Sequence, residues 1–104
     1  MKLIKFKEYE WTVKLYHKSE KDLYSKHTWV KTEEWIMWYT HSNYEWHTTY
    51  TIVMWDYWNT VPHEILHTIT HMFQYLWIEF DQELWAYNVW YYTKEYFKYL
   101  QNKE

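Results

Sequence analysis

"NTVPHEILHTITH", Asn59 to His71, is the stretch on which the reading of the chain turns. Histidines stand at 63, 67 and 71, a glutamate follows the first, and the chain's only proline, Pro62, directly precedes it. Four residues is close to one helical turn, so on a helix His63 and His67 share a face, about 6 Å apart along the axis. Two imidazoles at that spacing can converge on one zinc ion. Glu64 sits about a hundred degrees round the helix, beside such an ion, where it can take a proton from zinc-activated water. The plainer reading of this H-E-x-x-H pattern is a polar helix face in a chain with seven histidines. Its context favours the metal, because the pattern opens an amphipathic stretch that follows a strand-like one.

Working outward, Pro62–Trp77 reads as a helix. Leu66, Ile69, Phe73 and Leu76 recur at three- and four-residue spacing. A proline in the first turn costs nothing, since its missing N–H has no helical partner there. Asp81 is placed to cap a second helix, Gln82–Leu100, carrying Leu84, Tyr87, Val89, Trp90, Tyr91 and Phe97. Upstream, Lys2–His17 alternates with period two and predicts two strands turning near Lys7–Tyr9. Lys18–Lys26 is a turn or short helix, with Ser19 and Asp22 in a capping-box pattern. Val30–Tyr39 fits a short helix or a strand. Thr40–Trp46 has loop composition. His47–Trp55, rich in threonine and β-branched residues, predicts a strand leading into the histidine helix.

His71 does not complete a site with His63. On one straight helix the two lie about 12 Å apart, too far for bonds near 2.1 Å to one ion. It is expected to face substrate or solvent, or to support the ligands. Candidates for a third ligand are Glu79, Asp81, Glu83 and Glu95. Glu83 is favoured, because an antiparallel second helix would bring its first turn alongside. Its bland role is a carboxylate at a helix N-terminus. Ala86, the only alanine, would then survive because it lets the helices approach closely. Tyr87, with His71 or Tyr57, is a candidate donor to the oxyanion of a tetrahedral intermediate.

"VPHEILHTITHMF" followed by "DQELWAY" resembles small phage-encoded zinc metallopeptidase-like proteins of minimal gluzincin type. The likeness is specific over Pro62–Tyr87, and the N-terminal strands fit the same layout. It implies a zincin-like fold, zinc held by His63, His67 and Glu83, and Glu64 as base. The departure is "NVWYY" after Tyr87, where such proteins often carry a glycine.

Composition narrows the rest. A chain of 104 residues is expected to be one zincin-like domain, 1–104. Without cysteine there is no disulfide framework or thiolate metal site. A net charge of −3 and the absence of arginine argue against nucleic acid as a partner. No apolar run is long enough for a signal peptide or a membrane span, so a cytoplasmic protein is expected, in the host cytoplasm if phage-encoded. Aromatic residues make up 26% of the chain, and clusters such as "WIMWY" are either core or stacking platforms. The expected fold is α+β: a small, mostly antiparallel sheet, a zinc helix and a second C-terminal helix. The strand Thr48–Met54 is expected to offer its edge to an extended peptide. The expected function is zinc-dependent hydrolysis of a peptide or protein substrate. The alternatives are a non-catalytic binding protein on the same fold and a metal-free, aromatic-rich interaction module.

Overall fold

The computed structural model describes residues 1–33, 38–43, 46–54, 61–79 and 81–101. The fold is α+β. The elements are β1 (Lys2–Phe6), β2 (Trp11–His17), α1 (Lys21–Thr28), β3 (Trp38–Asn43), β4 (Thr48–Val53), α2 (Val61–Tyr75) and α3 (Gln82–Gln101). The chain divides into two compact units, Met1–Asp56 and Tyr57–Glu104.

The first unit holds a four-stranded sheet in the order β1-β2-β4-β3. β1 and β2 form the expected antiparallel hairpin, with Ile4 opposite Val13. A 3-10 turn at Lys7–Tyr9 joins them, closed by the Glu10 N–H on the Lys7 carbonyl at 3.3 Å. No glycine is present to take the left-handed position, so Glu10 does, at φ 50°. β4 runs parallel to β2 and antiparallel to β3. It therefore lies inside the sheet with both edges paired. The expectation that β4 offers an edge to a peptide is corrected: the edges belong to β1 and β3.

Thr40–Asn43, expected as loop, is strand. Its polar composition suits an edge, and hydroxyls tie it to β4. Thr51 Oγ1 donates to the Tyr39 carbonyl at 3.0 Å, which leaves the Thr40 hydroxyl to donate to Thr51 Oγ1 at 3.2 Å. Ser42 and Thr49 pair at 3.4 Å. Such cross-strand pairs favour sheet over loop whatever the local composition suggests. Of the ambiguous stretch Val30–Tyr39, Trp38 and Tyr39 belong to β3, and residues 34–37 lie outside the described residues.

Period-two alternation gives the sheet two unlike faces. One carries Ile4, Phe6, Trp11, Val13, Leu15 and Val53, all buried. Trp11 also keeps its indole N–H paired there, on Thr49 Oγ1 at 3.0 Å. On the other face α1 covers one end, where Tyr16, Tyr24, Ile52 and Met54 form a buried cluster flanked by Val30, Tyr39 and Tyr50. The start of this helical segment is capped differently from expectation. His17 and Glu20 make the reciprocal box: Ser19 N–H donates to His17 Nδ1 at 3.2 Å, and His17 N–H to Glu20 Oε1 at 3.0 Å. A preceding 3-10 turn at Lys18–Glu20 shifts the cap two residues upstream of the expected Ser19. Burial pushes the Tyr16 phenol up to about 12, with Tyr50 and Glu20 adding to it. Tyr16 therefore stays protonated, and its hydroxyl pairs with His27 Nδ1 at 2.6 Å.

In the second unit, α2 buries Val61, Ile65, Thr68, Ile69, Met72 and Phe73. Leu66, expected in the apolar stripe, is 46% exposed. The stripe is centred on Ile65, which leaves Leu66, about a hundred degrees round, at its margin. α2 ends in a Schellman motif: Ile78 N–H reaches Phe73 O at 2.9 Å and Trp77 N–H reaches Gln74 O at 3.3 Å. Trp77 occupies the left-handed position usually held by glycine, at φ 58°. Asp81 caps α3 as expected, its Oδ1 accepting the Leu84 N–H at 3.1 Å. The buried stripe of α3 is Asn88, Tyr92, Tyr96 and Tyr99. Tyr87, Trp90 and Phe97 are exposed instead. Phe73 of α2 packs edge-on against Trp85 of α3, ring centroids 5.7 Å apart. Ala86 is exposed, so close helix approach does not explain it.

Candidate metal centre on α2

α2 presents its three histidines on the side roughly opposite the Ile65–Met72 stripe, and all three are exposed. Pro62 falls in the first turn, among the N–H positions that have no helical acceptor. The His63 and His67 rings stand edge to face, centroids 4.6 Å apart, with their Nε2 atoms 3.0 Å from each other. Two nitrogens on a tetrahedral zinc, with bonds of about 2.05 Å, stand about 3.3 Å apart. The pair is therefore within a few tenths of an ångström of a metal bite. Without an ion, one Nε2–H donates to the other Nε2 across the gap.

Glu64 is half-buried in the first helical turn, where a carboxylate is favoured by the helix dipole. Its carbonyl accepts the Thr68 hydroxyl at 3.2 Å. The His71 ring lies 6.2 Å from the His67 ring, apart from the close pair. Glu83 is exposed in the first turn of α3. Among the described residues, no three His, Asp or Glu side chains gather into a group fit to hold a metal ion. The residues thus fit two positions of a zinc site, and Glu83 is not assembled with them. The other candidates are placed elsewhere: Asp81 is the α3 cap, Glu95 stands 4.0 Å from Lys98, and Glu79 is exposed. Tyr87 rests its ring near Trp90, at 5.9 Å, and Tyr57 lies outside the described residues.

A second group escaped the sequence reading. Lys14, Tyr50 and His41 form a row across β2, β4 and β3: Lys14 opposes Tyr50, and Tyr50 opposes His41. Lys14 Nζ sits 5.1 Å over the Tyr50 ring, and the His41 ring is 6.4 Å from it. The three are scattered along the chain, so only strand order and register bring them together.

Set against known protein families, characterised proteins and solved structures, the chain matches none.

Proposed function

We propose that this chain is a zinc protein of metallopeptidase type that hydrolyses peptide bonds. The observation that carries the reading is the 3.0 Å separation of the His63 and His67 Nε2 atoms, on a helix with Glu64 next to the first. His63 and His67 hold the ion in this reading, and Glu83 completes the set from the first turn of α3. Zinc supplies Lewis acidity when bound. Glu64 accepts the proton of the attacking water, and His71 and Tyr87 are left as donors toward the substrate carbonyl. The exposure of the pair and the unassembled third ligand favour a second reading, a binding protein that holds the metal without turnover.

The test is zinc titration of tag-free protein with melting temperature and metal content as readouts, followed by cleavage of a diverse peptide pool. Ligand binding to the native state stabilises it, so zinc should raise the melting temperature and chelator should reverse the rise. His63→Ala and His67→Ala should abolish the response, while His71→Ala should leave it. Glu64→Gln should keep zinc and lower cleavage by about a hundred- to ten-thousand-fold. An unchanged melting temperature after zinc addition overturns both readings. Bound zinc without cleavage selects the second.

A further inference from the structure

We propose that the sheet face of the first unit, centred on Tyr50, binds a segment of single-stranded nucleic acid. Ten residues point to this face by strand register: Leu3 and Lys5 of β1; Thr12, Lys14 and Tyr16 of β2; Thr48, Tyr50 and Ile52 of β4; Tyr39 and His41 of β3. None is acidic, in a chain with 14 Asp and Glu residues. α1 covers the end carrying Tyr16 and Ile52. Beyond it, Tyr50 and Lys14 are half-buried, His41 is exposed and Leu3 is 44% exposed.

The arrangement beyond α1 has a definite chemistry. Tyr50 leans on the α1 cluster, which fixes its ring. A lysine and a histidine flank that ring on the neighbouring strands, which places them about 10 Å apart across the sheet. An aromatic plane flanked by a lysine and a histidine, each able to donate a hydrogen bond, matches a base with phosphates on either side of it. Lys14 holds its ammonium over the ring, so the site presents an aromatic plane and a positive charge together. On binding, the flexible lysine lifts onto a phosphate and the base takes its place on the ring. The net charge of −3 belongs to the whole chain, whereas the strand residues of this face include Lys5 and Lys14 and no acid.

The experiment is fluorescence anisotropy of the full chain with a short labelled oligothymidine, across a salt series. Wild type should bind at low salt and lose affinity as salt rises. Lys14→Gln should lower the salt slope by about 0.7, the share of one phosphate contact on a single strand. Tyr50→Phe keeps the ring and should bind as wild type. Tyr50→Leu keeps strand and bulk but removes the ring, and should bind roughly five- to a hundred-fold more weakly. Thr12→Glu, placing a carboxylate beside Lys14 on the same face, should weaken binding without unfolding the sheet. Thymidine monophosphate and polyphosphate should compete poorly. No binding by wild type, equal binding by Tyr50→Leu with a native circular dichroism spectrum, or polyphosphate competing as well as the oligomer would each overturn the proposal.

Discussion

Trp77→Gly should stabilise the protein although it deletes the largest side chain there is. Trp77 is 92% exposed, so its ring contributes almost no burial. Its backbone is held at φ 58° by the two hydrogen bonds that close the end of α2. A residue with a Cβ in that conformation costs roughly 1–2 kcal/mol. Glycine removes that cost and adds roughly 0.5–1 kcal/mol of unfolded-state entropy. The balance is a gain of about 0.5–1 kcal/mol, which for a chain of this size raises the melting temperature by about 2–6 °C. Trp77→Ala is the control, since it removes the ring and keeps the Cβ. The assay is urea denaturation of wild type and both variants. The glycine variant should shift the midpoint upward at constant slope, and the alanine variant should shift it little. A loss of more than about 1 kcal/mol in the alanine variant would show that the indole makes stabilising contacts. Equal stability of the glycine and alanine variants would refute stored backbone strain.

Further expectations follow from the caps, the corrected helix stripe and the tyrosine cluster. Asp81→Ala should cost about 1 kcal/mol through loss of the bond to the Leu84 N–H, with Asp81→Asn retaining most of it, measured by urea denaturation. Ile69→Ala should cost about 2–5 kcal/mol and Leu66→Ala well under half of that, because Ile69 is fully buried and Leu66 is not; similar losses would put Leu66 back in the core. Burial raises Tyr16 from its ordinary 10.0 to about 12 and pushes Tyr24 up as well, so the folded state holds protons that the unfolded chain releases. Stability from this source is complete below pH 10 and declines as pH rises toward 12, by about 2–3 kcal/mol for Tyr16. Denaturation midpoints across that range, alongside phenolate absorbance, check the sign, and a flat profile would count against it.

The parts of the fold that were legible in the sequence are those encoded locally. The hairpin of β1 and β2 follows from alternation, and the start of α3 from Asp81. Where tertiary pairing decides, composition misleads. Thr40–Asn43 reads as loop because its residues are polar, yet hydroxyl pairs with Thr49 and Thr51 make it an edge strand. The place of β4 between β2 and β3 is a matter of strand order, which no local pattern carries. The α3 stripe is not legible in the sequence because tyrosines stand at exposed as well as buried positions, Tyr87 against Tyr92, and an asparagine joins the core. Asn88 is buried by turning its amide onto the Leu84 carbonyl, at 2.8 Å, so a polar residue sits where an aliphatic one is expected.

The same division runs through the candidate site. An i, i+4 histidine pair is a property of one helix, so its bite could be read from spacing and reappears as a 3.0 Å contact. A third ligand depends on how another helix is rotated about its axis. The buried stripe Asn88–Tyr92–Tyr96–Tyr99 fixes that rotation for α3. Glu83 lies about 140° round the helix from Asn88, on the side of Trp90 and Phe97. Turning it inward would expose three tyrosines and bury two exposed aromatics, which helix packing resists. Glu83 can therefore serve an ion only on the solvent side of α3. His63 and His67 are likewise on the solvent side of α2, opposite Ile65 and Met72. A shared zinc would sit outside the packed core of this unit, and substituting its ligands should cost zinc affinity while leaving the stability of the metal-free fold unchanged.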